Sequence, residues 1–234
     1  MQSQSDSGMM AQWWRLGGIA GIAWIVVFVV SIVLQGESPS RDDSIEDIRQ
    51  YFSDDGDMYL VGDWLIGVAF FFFFLPYAVV LSYMVRRDDG MPPILANLVV
   101  IGAVTATVFG GVASIPWGAL AIGAAENPEV DDSAIRTLME LDTYGFTLSQ
   151  LPIGLFLAAS SLAIWRTGAL WRWLGLLGGL AAILLVVGAA WTIDGDEEGG
   201  IAILGFIGFP GTLLFILISS VGMIMRKTPP DAPA

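Results

Sequence analysis

Six blocks of about 20 or more mostly apolar residues divide this 234-residue chain, near 12–34, 59–84, 94–122, 144–165, 170–192 and 201–225. At 1.5 Å rise per residue, a helix of about 20 residues matches the roughly 30 Å hydrocarbon core of a bilayer. A soluble helix of that length carries a polar face, and these blocks carry none. The blocks therefore predict an all-α fold, a polytopic membrane protein built as a six-transmembrane-helix bundle. The first block is too long for the apolar region of a secretory signal, and no small-residue cleavage pattern follows at "LQGESPS". It is expected to persist as helix one.

The cations set an expected orientation. If the spans alternate, Arg15, Arg86, Arg87, Arg166, Arg172, Arg226 and Lys227 fall on one side, and only Arg41, Arg49 and Arg136 on the other. Cytoplasmic loops carry the excess of Lys and Arg, so both termini are expected in the cytoplasm. The domain plan is a disordered cytoplasmic N-terminus over 1–11, one transmembrane domain over 12–225, and a disordered cytoplasmic C-terminus over 226–234.

The acids mirror the cations. "GESPSRDDSIEDIRQYFSDDGD", "ENPEVDDSAIRTLMELD" and "DGDEEGG" hold most of the 23 carboxylates, all on the expected outer side, and the formal net charge is −13. A surface this negative repels polyanions, so no nucleic-acid partner is expected. It reads as a halophilic-like adaptation that holds water and cations, or as a vestibule that gathers them. No EF-hand loop with its closing Glu is present, and no metal site is expected.

Cysteine and histidine are both absent. Within this chain that excludes bis-His haem, Cys-ligated iron–sulfur clusters, His/Cys zinc sites and Ser–His nucleophiles. The only lysine, Lys227, follows the last span, which excludes an intramembrane retinal Schiff base. A pair of membrane aspartates evokes intramembrane proteolysis, but residues 60–63 read "LVGD" rather than G-x-G-D. The expectation is a protein that is not an enzyme and carries no cofactor.

"RDDSIEDIRQYF" and "VDDSAIRTLMELD" each combine Asp-Asp-Ser, then Ile-Arg, with apolar residues at helical spacing. They predict short outer amphipathic helices, each capped by its Ser. Spans four and six also echo each other, "LPIGLFLAASSLAIWR" against "FPGTLLFILISSVGMIMR". In span three, Gly102, Ala106, Gly110, Ser114 and Gly118 recur every four residues. Small residues let helices approach closely in lipid, so this stripe is expected to make span three central, packed on a neighbour. The alternative is that it lines a lipid or ligand groove. Tryptophans and tyrosines at the span ends, among them Trp13, Trp14, Tyr83, Tyr59, Trp64 and Trp191, predict an interfacial belt.

One acid intrudes on this pattern. Asp63 lies about a turn inside the outer end of span two, ahead of five consecutive phenylalanines, Phe70 to Phe74. It is either an interfacial acid in the first turn of the span or a cation- or proton-binding group at the mouth of a cavity. Asp142, Thr147 and Gln150 on span four and Ser114 on span three are its candidate partners in an outward-facing polar cavity.

The order of parts resembles that of uncharacterised six-span integral membrane proteins of actinobacteria and archaea. "WWRLGGIAGIAWIV", "IRQYF", "GDWLIG" and "VRRDDG" carry the resemblance. It implies a prokaryotic plasma membrane and no known activity. The functional expectation is an accessory or structural subunit, or a lipid-contacting bundle, with the bilayer and a membrane-protein partner or a second copy as its contacts. The alternative is a small cation- or proton-linked transporter.

Overall fold

The computed structural model describes residues 2–40, 43–86, 93–194 and 199–226, and every regular element among them is helical. Six helices are long and apolar enough to cross a membrane: α1 (Gln2–Gln35), α2 (Ile45–Val85), α3 (Ile94–Gly123), α4 (Asp132–Thr167), α5 (Arg172–Ile193) and α6 (Gly200–Met225). Each expected span coincides with one of them, the fifth starting at Arg172 rather than at residue 170. The helix α1 already begins at Gln2, so no helix start marks the expected domain boundary at residue 12. Residues 227–234 of the expected C-terminal tail lie outside the described residues.

Each helix packs on its successor, and α6 closes back on α1. The most buried helix is α4, which touches α2, α3 and α5. Span three is therefore not the central one. Its stripe packs only over its first half, where a side chain on Gly102 would collide with the Phe156 backbone and Ala106 is fully enclosed. Gly110 and Gly118 face open space.

Both α2 and α4 are longer than a bilayer needs. Their 41 and 36 residues correspond to about 60 and 54 Å of helix. The excess projects at the acidic end. The expected amphipathic helices are present there as the first turns of α2 and α4, continuous with the spans, because nothing in either sequence breaks the helix before the apolar block begins. Ser44 caps α2, accepting from the Asp47 N–H at 3.1 Å while its hydroxyl donates to the Asp47 carboxylate at 2.7 Å. At α4 the cap is Asp131 rather than Ser133, and the Ser133 N–H donates to it at 2.8 Å. That bond to the charged form holds the Asp131 carboxyl below its usual range.

These projecting turns enclose a small core of their own. Ile48, Phe52 and Tyr59 of α2 meet Trp117 and Leu120 of α3 and Ile135 and Met139 of α4. The loop after α3 is pinned across it by Arg49. Its guanidinium donates to the carbonyls of Ala125 (2.6 Å) and Val130 (2.8 Å) and to the Asp132 carboxylate (2.9 Å). Tyr59, expected at a membrane interface, is buried in this core instead, and Trp191 of α5 is buried against the ring of Tyr144 of α4. Trp14, expected at the other interface, is covered by the Arg226 guanidinium, 5.1 Å from its ring centroid. Trp13, Trp64, Tyr83 and Trp173 stay exposed, as a belt requires.

The membrane-depth core is aromatic. Phe70 to Phe74 lie in a widened π-helical turn, Ala69–Phe74, just before Pro76. Proline cannot donate to the carbonyl four residues back, and the wider turn accommodates that loss. Phe74 turns fully inward while Phe71 and Phe72 face out, so the run divides between bundle and lipid as its length demands. Ring contacts run from Trp24 to Phe74 (5.4 Å), Phe74 to Phe156 (5.1 Å) and Phe156 to Phe215 (6.4 Å), filling the centre.

The Ser-Ser echo of spans four and six has a packing role. Ser220 meets Gly21 of α1, and Ser161 meets Gly178 of α5. Ser219 donates to the carbonyls of Phe215 and Ile216, so the fully buried Tyr77 hydroxyl, 2.5 Å away, is the donor to Ser219 Oγ. Tyr77→Phe removes one buried donor and leaves the rest of the network intact. We expect a loss of about 1 kcal/mol in stability, read by denaturant unfolding in mixed micelles. An unchanged midpoint would mean that this bond contributes nothing.

A candidate lateral groove at the acidic end

The open half of the α3 stripe forms one wall of a groove of about 340 Å³ between α2 and α3. Gly110 and Gly111 supply its floor and Gly67 of α2 faces them, with no atom within 4 Å of where a side chain would begin on any of the three. Trp64, Phe71 and Phe72 border it toward the hydrocarbon side. Two of the expected alternatives for the stripe are thus realised on one helix: packing where α4 crosses it, and a groove where nothing does.

Asp63 stands at the acidic-end limit of this groove and is half-buried. Its carboxylate lies against the Ser114 hydroxyl, which also reaches the Gly111 carbonyl at 3.3 Å. Asp142 of α4 lies within electrostatic reach of both Asp63 and Tyr59. Two of the five expected cavity residues, Asp63 and Ser114, therefore share this groove, and Asp142 stands outside its lining, within electrostatic reach of Asp63. They offer mainly acceptors, suited to cations, water, or N–H and O–H donors of a partner.

The other two are elsewhere. Thr147 is buried with its hydroxyl donating to the Thr143 carbonyl at 2.9 Å, and Gln150 lines a separate pocket against α5 and α6. The reason is helical geometry. Residues 143, 147 and 150 follow an i, i+4, i+7 row, whereas residue 142 is about 100° around the helix from 143, at 3.6 residues per turn. Asp142 consequently faces α2 while the Thr147–Gln150 row faces α5 and α6. Among the described residues no group of three or more Asp or Glu is placed to hold a metal ion.

Sequence reasoning also missed Arg49. Its signal was present: a cation at helical spacing inside an acidic amphipathic segment, whose loop carbonyls only the fold could bring near.

The chain belongs to a family described as a domain of unknown function (DUF4386), which matches it over residues 19–220. No curated protein and no solved structure matches it.

Proposed function

We propose that this member of the DUF4386 family is a non-enzymatic accessory subunit of a prokaryotic plasma membrane, with both termini cytoplasmic. It would engage a second membrane protein laterally. The observation that carries this reading is the contrast between centre and flank: the middle of the bundle is filled by stacked aromatic rings, while the glycine-floored groove beside Asp63 opens sideways. A smooth groove in lipid lets another helix approach closely, and an acid at its end selects a partner with a donor there. The distribution of cations supports the orientation, with Arg15, Arg86, Arg166, Arg172 and Arg226 at the end where α1 starts and α6 finishes.

The test is purification from native membranes in mild detergent, with mass spectrometry of what co-elutes. A stoichiometric membrane-protein partner, lost in Gly110→Phe, is the expected result. A chain that elutes alone, or a partner indifferent to Gly110→Phe, would overturn the proposal.

The proximity of Asp63, Asp142 and Tyr59 supports a second reading, a small cation- or proton-linked transporter loaded from the acidic side. It predicts that sodium or another small cation raises the melting temperature, and that Asp63→Asn abolishes most of that rise. No cation-dependent shift in the unmodified protein would remove this reading.

A further inference from the structure

The pocket that holds Gln150 has a chemistry of its own. It lies between α4, α5 and α6, on the opposite side of α4 from the Asp63 groove, and has a volume of about 690 Å³. That is within the range of sites that bury a small organic ligand. Among the described residues its walls carry no charged side chain, and four aromatic rings, Phe146, Trp191, Phe206 and Phe209, account for much of its lining. Trp191 is fixed by stacking on Tyr144, with ring centroids 5.6 Å apart.

The polar inventory is unbalanced. Gln150 Oε1 is buried without a hydrogen-bond donor among the described residues. The side chain is held against α6 at Gly205, where a Cβ would come within 3.0 Å of that oxygen, so glycine makes the room it occupies. One helical turn further along α6, Pro210 has no N–H to offer the Phe206 carbonyl, a second lining residue. The Thr143 and Thr147 hydroxyls cannot supply a donor, because each is already committed to the carbonyl four residues before it. An unsatisfied buried acceptor is unfavourable, and an apolar-walled pocket is where a ligand donor gains most by meeting it.

We propose that this pocket binds an uncharged amphiphile through a hydroxyl group, which donates to Gln150 Oε1 while the apolar body lies among the aromatic rings. A lining without charge among the described residues selects against ionic headgroups. The acceptor excess selects for a hydroxyl over a carbonyl. Two kinds of membrane molecule share that chemistry, a lipid-soluble hydroquinone and a diacylglycerol-type neutral lipid. The site stands apart from the Asp63 groove and does not depend on the accessory-subunit reading.

The test uses the whole protein in detergent with two probes, decyl-1,4-hydroquinone and 1,2-dioctanoylglycerol, followed by thermal shift and native mass spectrometry. At least one probe should bind saturably at one molecule per chain and raise the melting temperature. The tighter of the two identifies the source. The oxidised decylquinone, with the same body and no O–H donor, should bind at least tenfold more weakly than the hydroquinone if the hydroquinone is the ligand. Gln150→Leu should weaken binding about tenfold or more. That variant loses an orphaned polar atom, so its unliganded melting temperature should hold or rise, which separates lost binding from misfolding. Ile203→Trp, at the exposed rim of the pocket, should block entry with Gln150 still in place. Failure of both probes to bind, or binding equal in Gln150→Leu, would overturn the proposal.

Discussion

Gly188→Ala should destabilise the bundle by about 3 kcal/mol, the upper part of the range for forcing extra volume into a packed core. The added Cβ would sit 2.2 Å from the Gly205 nitrogen and 2.4 Å from its Cα. Both obstacles are backbone, so no rotamer change relieves the clash, and α5 and α6 must separate. Gly102→Ala meets the Phe156 backbone at 2.6 Å and should cost about 2 kcal/mol for the same reason. The controls lie on the same stripe. Gly110→Ala and Gly118→Ala add a methyl where no atom stands within 4 Å. Alanine also restricts the unfolded chain and favours helix, so these two should be neutral or gain up to about 1 kcal/mol. The four variants unfolded side by side in mixed micelles decide the matter. Losses at Gly110 and Gly118 equal to that at Gly102 would mean that the stripe packs along its whole length and the groove is filled.

The second large effect is expected at Arg49. Removing it in Arg49→Ala deprives three loop carbonyls, the one of Asn127 at a long 3.4 Å, and one carboxylate of charged donors. Hydrogen bonds to a charged group contribute about 1.5–3 kcal/mol each, and the side chain is 26% exposed, so water replaces part of the loss. A net local cost of about 3 kcal/mol follows, which is roughly a hundredfold in the opening equilibrium of the loop. Amide hydrogen exchange across residues 125–130 should accelerate by that factor, while exchange in the aromatic core around Phe156 stays slow. Lysine should not rescue, because the two nitrogens of the guanidinium reach separate carbonyls in a fork that an ammonium cannot reproduce. Full protection in Arg49→Lys would show that charge alone holds the loop.

The two substituted regions show how unevenly the fold can be read from the sequence. Six apolar blocks of membrane length leave few alternatives, since every backbone polar group in hydrocarbon must find a partner inside its own helix. The segment "VDDSAIRTLMELD" was equally legible as a helix; what it concealed was continuity, because an amphipathic turn and an apolar span join without any punctuation between them. The stripe from Gly102 to Gly118 announced a smooth surface but not what touches it. A run of small residues is the same sequence signal for a packed interface and for an open groove, and only the path of α4 divides it after Ala106. The candidate cavity was partly legible for a similar reason. Asp63 and Ser114 line one groove with Asp142 within electrostatic reach, yet Thr147 and Gln150, a turn or two along from Asp142, leave on another face.

The sequence by itself determined the number of spans, the acidic and basic ends and the chemistries that lack of His and Cys removes, because those depend on composition along the chain and on the backbone's need for hydrogen bonds. Only the tertiary structure decided that α4 is central, that Arg49 reaches across to a loop more than seventy residues away, and that Gln150 Oε1 meets no donor among the described residues. Each of these depends on which faces of different helices meet. In lipid that choice is made by close packing of shapes rather than by the burial of apolar residues, so no hydrophobic pattern records it.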